Sequence, residues 1–127
     1  MVQQFEFRKL DLEGAYLIQP FIATDNRGKF IKDYGKEIFE ANNISHDLKE
    51  VFYTYSKRGV IRAIHFQREK QQAKLVRCIK GKIYDVIVDL RKDSKTYGKW
   101  LGIYLSDKNY QEIYIPEYFG HGYLVLE

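Results

Sequence analysis

The sequence predicts an all-β domain, an antiparallel jelly-roll barrel with one short helix near residues 35–42, and three observations lead there. First, 16% of the residues are aromatic and 11 are tyrosine, and aromatic side chains favour the pleated, half-buried surface of a sheet. Second, the chain beyond Lys49 divides into short strand-like runs separated by turn signals, the spacing of a sandwich or barrel. Third, only one stretch carries a helical pattern. Full antiparallel closure also protects strand edges, which favours a jelly roll over an open sheet.

The elements follow in order. "GAYLIQPFIATDNRGKF" reads as a strand broken at Pro20 and followed by a turn from Asp25 to Gly28, where Asp, Asn and Gly supply the turn chemistry. "GKEIFEANNI" reads as the helix, with Ile38 and Phe39 on its apolar face and two asparagines marking its end. The predicted strands are then "EVFYTYS", "GVIRAIHFQ", "AKLVRCIKG", "KIYDVIVDLR", "KWLGIYLS", "QEIYIP" and "GYLVLE". Turns separate them at 57–59, 80–81, 92–98 and 107–109.

At 127 residues the chain is expected to be one domain, residues 1–127, large enough to bury a core without staples. Its single cysteine, Cys78, rules out an intrachain disulfide and is expected to pack as a small hydrophobe. The opening "MVQQFEFRKLDLEG" lacks the basic and apolar regions of a signal peptide, and no apolar run is long enough to span a membrane. A cytoplasmic protein is expected. The net charge of +4 suits an anionic partner, yet the basic residues are scattered, and "SKRG" and "LRKDSK" read as solvated turns.

Strand alternation assigns faces. Arg62, Ile64 and Phe66 fall on one side, and Ile61, Ala63, His65 and Gln67 on the other. Lys74, Val76 and Cys78 share a face, as do Ile83, Asp85, Ile87 and Asp89. A carboxylate at Asp85, in an otherwise apolar strand, is costly to bury alone and calls for a partner. His121, between two glycines in "YFGHGYLV", is the natural candidate.

Several chemistries find little support. A metal-binding cupin-like barrel carries an H-x-H motif, but Gln67 stands where the second histidine would be, and His46 lies in a polar loop. Three or four N, S or carboxylate ligands are needed for a stable site, so no metal is expected. No nucleophile elbow, phosphate loop or dinucleotide fingerprint occurs. Tyrosines in "VFYTYS" and "YQEIYIPEYF" could stack on bases, but no recognition signature accompanies them, and nucleic acid is not an expected partner. General acid–base chemistry remains. His65 can take a proton near neutral pH, Lys74 can steady a developing enolate, and Arg62 can hold a diphosphate.

"DNRGKF", "GVIRAIHFQ", "AKLVRCIKGKIYDVIVDLRKDSKTYGKW", "LSDKN" and "IPEYFGHGYLVL" occur in this order and at this spacing. Together they resemble the dTDP-4-dehydrorhamnose 3,5-epimerase family, cupin-like jelly rolls without metal that act on nucleotide-linked 4-keto-6-deoxy sugars. The resemblance runs from Pro20 to the end of the chain. It implies that His65 is the base that removes a proton beside the carbon-4 ketone and that Lys74 holds the enolate. It implies further that Arg27 and Arg62 contact the diphosphate of a nucleotide-diphospho sugar, and that Phe30 is the aromatic residue of the D-x-R-G-x-F motif. Gln67 is carried along as a substrate-side residue, and Asp85 with His121 as a second pair lining the pocket. No cofactor is implied. Family members are typically homodimers that exchange N-terminal strands, which would place Arg27 and Phe30 in the neighbouring subunit's site.

The departures are specific. Lys32 stands where the motif usually continues to a glutamate, Glu50 and Phe52 occupy the usual Gln and Asn positions, and "RAIHFQ" replaces "RGLHFQ" through Ala63. Family enzymes also continue beyond "HGYLVL" into a portion that supplies a general-acid tyrosine and an aspartate paired with the base. The expectation is therefore a single epimerase-family domain lacking that portion. The alternative is a non-catalytic or weakly active nucleotide-sugar-binding relative.

Overall fold

A computed structural model describes residues 3–45, 48–66 and 72–127. Among these residues, ten strands and one helix follow in the order β1 (Glu6–Lys9), β2 (Tyr16–Gln19), β3 (Phe21–Asp25), β4 (Gly28–Lys32), α1 (Lys36–Ala41), β5 (Ile61–His65), β6 (Lys74–Arg77), β7 (Lys82–Asp89), β8 (Trp100–Ser106), β9 (Glu112–Ile115) and β10 (Phe119–Val125). They build two four-stranded sheets, β1-β2-β9-β6 and β5-β10-β7-β8, with β3 and β4 as a separate hairpin. Every pairing is antiparallel. Gln67 and His46 lie outside the described residues.

The first sheet has a core on each side. On the face toward the second sheet, Leu17, Ile113 and Ile115 pack with Cys78, Ile87, Leu105 and Phe119, with Val76 against them. On its other face, Ile18 and Tyr114 pack with Phe39 and Ile44, backed by Phe5, Phe7, Tyr16, Tyr34 and Leu75. Alternation along β2 and β9 explains this, since Leu17 and Ile18 point to opposite sides. Helix α1 covers the second core through Phe39, whose ring meets Phe7 edge-on at 5.1 Å between centroids. Asn42 closes α1 by donating from its Nδ2 to the Ile38 carbonyl, and Asn43 then turns the chain in the left-handed region.

The predicted fold class stands, with two differences in the elements. "EVFYTYS" is not a strand: no backbone ladder reaches residues 51–57 among the described residues. A strand-like pattern forms a strand only where an edge is available to pair with it. Val51, Phe52, Tyr53 and Tyr55 accordingly lie exposed. Conversely, β1 forms from "EFRK", a run whose charged residues hide the alternation of Phe5 and Phe7 toward the second core.

Candidate functional site

The site takes its residues from four strands. β7 supplies Asp85, which faces inward with Ile87 and Asp89 and is fully buried. The β7–β10 register sets Tyr123 opposite Asp85 and His121 opposite Ile87, so all four side chains share the inner face. There His121 Nε2 and Asp85 Oδ2 share a hydrogen bond of 2.8 Å. The partner that a buried carboxylate at Asp85 requires is thus His121. Burial pushes the Asp85 carboxyl above its usual range, while the His121 bond and the nearby charge of Lys74 pull it back. Lys74 reaches this region from β6, opposite Ile115 of β9, on the same face as Val76.

Strand β5 completes the group, by a route that simple alternation misses. His65 is the partner of His121 and Arg62 the partner of Tyr123, with a register shift between the two pairs. One residue of β10, Gly122, therefore faces two of β5, Ala63 and Ile64, which is the arrangement of a β-bulge. Regular alternation had set Arg62 and His65 on opposite faces. The bulge brings both to the face that carries His121 and Tyr123. Gly122 makes it possible: a Cβ there would stand 2.7 Å from the Ala63 Cβ and 2.9 Å from the Arg62 carbonyl oxygen.

Three further residues of this region carried no signal as site residues in the sequence. Tyr123 shares a hydrogen bond of 2.9 Å with Thr54 Oγ1, and its ring centre lies 6.0 Å from that of His121. Ser56 Oγ accepts from Arg62 Nε at 2.9 Å. Segment 51–57 is thus fastened by side chains alongside β5 and β10, which alternation within a run cannot reveal.

The remaining positions sit elsewhere. Arg27 lies at the tip of the β3–β4 hairpin, where its Nη2 donates to Asp25 Oδ2 at 2.7 Å and its side chain is 87% exposed. Phe30 is also exposed and touches Phe21, with ring centres 6.2 Å apart. Among the described residues no hydrogen bond or ring contact joins either one to His65, Lys74, Asp85 or His121. Lys32 donates to Gln3 Oε1 at 2.7 Å. Among the described residues no three His, Cys, Asp or Glu side chains converge to hold a metal ion.

The motif "DLRKDSKT" has a structural task. Asp89, fully buried, accepts from Arg91 Nε at 3.0 Å, Arg91 Nη2 at 2.9 Å, Ser94 Oγ at 2.6 Å and Thr96 Oγ1. These donors hold its carboxyl well below the ordinary range even against its burial. They tie down the β7–β8 connection, and Arg91 also lies over the Phe119 ring.

The model of the family dTDP-4-dehydrorhamnose 3,5-epimerase matches residues 9–127. A dTDP-4-dehydrorhamnose 3,5-epimerase of Methanothermobacter thermautotrophicus is 50% identical over 123 residues, covering 97% of this chain and 66% of its own. That of Shigella flexneri is 39% identical, covering 93% of this chain and 66% of its own. The chain thus spans 66% of the length of these two curated relatives. Among solved structures, the dTDP-4-dehydrorhamnose 3,5-epimerase of Bacillus anthracis with TDP and PPi bound matches with a TM-score of 0.91 at 36% identity, over 97% of this chain and 71% of that one. The dTDP-6-deoxy-D-glucose-3,5-epimerase of Legionella pneumophila in complex with dTDP-4-keto-L-rhamnose matches at 0.87 and 32% identity, over 98% of this chain and 66% of that one. By sequence over nearly its whole length, and by fold, the chain belongs to the dTDP-4-dehydrorhamnose 3,5-epimerase family.

Proposed function

We propose that this protein epimerises a nucleotide-diphospho-4-keto-6-deoxy sugar at carbon 3, carbon 5 or both, within deoxysugar and surface-polysaccharide synthesis. The observation that carries the reading is that His65, Arg62 and the His121–Asp85 pair share one face of the second sheet, with Lys74 of the first sheet close enough to act on Asp85, in a chain of this family. His65, exposed at the open edge, takes the proton from the carbon beside the ketone. The electron pair left behind moves onto the carbon-4 oxygen, and the Lys74 ammonium stabilises that enolate. Return of a proton to the opposite face inverts the carbon. Arg62 binds a diphosphate oxygen, with Ser56 orienting its guanidinium. Gln67, outside the described residues, is proposed as a further substrate contact.

Homodimer formation with exchange of N-terminal strands belongs to the same proposal. In a dimer the hairpin bearing Arg27 and Phe30 would reach the neighbouring subunit's sugar nucleotide. The exposed apolar run at 51–55 and the exposed Ile61, Ile64 and Trp100 support such an assembly, since surfaces of this kind favour burial against a partner. A water-soluble nucleotide sugar as substrate suits a cytoplasmic location.

Incubation with dTDP-4-keto-6-deoxyglucose in deuterium oxide tests the reaction. Deuterium should enter carbon 3 or carbon 5, and His65→Ala should abolish its entry. Tight binding with no exchange would reject the enzyme in favour of a sugar-nucleotide-binding relative.

A further inference from the structure

Outside this site, three charged groups meet on the far face of the first sheet. Glu112 of β9 is fully buried, and among the described residues neither of its carboxyl oxygens has an N–H or hydroxyl donor to accept from. Arg77 of β6 is its direct partner in the β6–β9 ladder, so both side chains rise from the same face. Arg77 is itself committed elsewhere: its Nη1 donates to Asp33 Oδ1. Its Nε, also buried, has no hydrogen-bond partner among the described residues. Asp33 sits between β4 and α1, with its side chain 46% exposed. On the β2 side the residue opposite Glu112 is the apolar Ile18, and the next residue on the same face of β9 is Tyr114.

One guanidinium thus stands among two carboxyls, and their environments differ. Ionised Asp33 can be served by water if Arg77 leaves it. Ionised Glu112 cannot, because an unpaired carboxylate in that position pays a full desolvation penalty. Its own burial, then the charge of Asp33 and a hydrogen bond shared with the Asp33 carboxyl, push the Glu112 carboxyl up to about 9 against the pull of the Arg77 charge.

We propose that Arg77 works as a proton-controlled latch: it holds Asp33, and with it the linker between β4 and α1, while Glu112 is protonated, and turns to Glu112 when that group ionises. The exchange needs little movement, because directly opposed side chains on a ladder begin about 5 Å apart. Its consequence is local. The foot of the β3–β4 hairpin is fastened at neutral pH and freed in alkali, while Phe39 keeps α1 packed. Tyr114, pushed up to about 12, does not titrate in this window.

The test combines two measurements on the intact protein. Carbon-13 NMR follows the Glu112 carboxyl, which should titrate far above the ordinary range. Trypsin cleavage between Lys32 and Asp33, scaled to cleavage of a free peptide of the same sequence, reports linker opening. From about pH 7 to about pH 10 the scaled rate should rise roughly tenfold or more in the wild type and stay level in Glu112→Gln. Asp33→Asn, which weakens the latch without burying anything new, should be cut rapidly at both pH values. An ordinary titration of Glu112, an equal rise in Glu112→Gln, or slow cleavage of Asp33→Asn at neutral pH would each overturn the latch.

Discussion

His65 and His121 face one another as direct partners across the β5–β10 ladder, and His121 in turn is bonded to the buried Asp85. The exposed histidine at the mouth is thereby backed by a second histidine whose orientation is fixed by a carboxylate. The glycines on either side of His121 leave room for this arrangement.

They do so unequally, which gives a first prediction. A methyl group at position 120 would meet Val88 Cγ1 at 2.7 Å and Ile64 Cγ2 at 2.9 Å, both on stiff β-branched side chains, but no backbone atom. One at position 122 would meet the Ala63 Cα at 2.8 Å and the Arg62 carbonyl, which move only if β5 moves. Gly122→Ala should therefore cost about 2–3 kcal/mol by overpacking, and Gly120→Ala, whose clashes are with side chains alone, about 1–2 kcal/mol. Urea unfolding measures both. Because Arg62 and His65 ride on the bulge, Gly122→Ala should also slow solvent deuterium exchange into the sugar more than Gly120→Ala does.

A second prediction concerns Asp85. Replacement by asparagine keeps a side-chain oxygen to meet His121, whereas alanine leaves a buried imidazole nitrogen without its partner. Asp85→Ala should lose about 1–3 kcal/mol beyond Asp85→Asn, read as a difference in urea midpoints at constant slope. Equal losses would show that the His121 bond contributes nothing.

Asp89 carries the opposite sign. Its carboxyl is lowered in the folded protein, so its contribution is present above the ordinary carboxylate value of 3.8 and is lost as pH falls through the folded one. Asp89→Ala strands Arg91, Ser94 and Thr96 and should cost about 3 kcal/mol at neutral pH. In acid the difference between variant and wild type should shrink, which parallel unfolding series by circular dichroism would reveal.

These sites were legible to different degrees for physical reasons. Asp85 announced its need for a partner because an acid inside an apolar strand cannot be buried alone, and the inward alternation of β7 is regular. The same signal stood in "QEIYIP" at Glu112 and went unread, because its companions Asp33 and Arg77 come from distant parts of the chain. The shared face of Arg62 and His65 could not be read at all. A bulge is a property of the ladder, and the two-residue period assumes that none is present. "EVFYTYS" shows the converse: strand propensity describes how a surface would pack, and pairing depends on an available edge. The roles given to His65 and Lys74 came from the order of motifs, since acid–base chemistry requires residue types that plain strands also contain.

The final prediction separates Glu112 from the acids that stabilise when ionised. Its carboxyl rises from 4.5 in the unfolded chain to about 9 in the folded one, so between these values the folded protein holds a proton that the unfolded chain has released. Stability then falls as pH rises, by about 1.4 kcal/mol per pH unit from this group alone, and the loss ends once the folded carboxyl has ionised. Glutamine at this position removes the titrating group while keeping its shape. Between about pH 6 and about pH 8 the stability of Glu112→Gln should therefore decline less steeply than that of the wild type, by roughly 2–3 kcal/mol over the interval. Urea unfolding at several pH values gives both slopes. Parallel slopes would mean that Glu112 is already ionised at neutral pH and that its burial is compensated by some other charge.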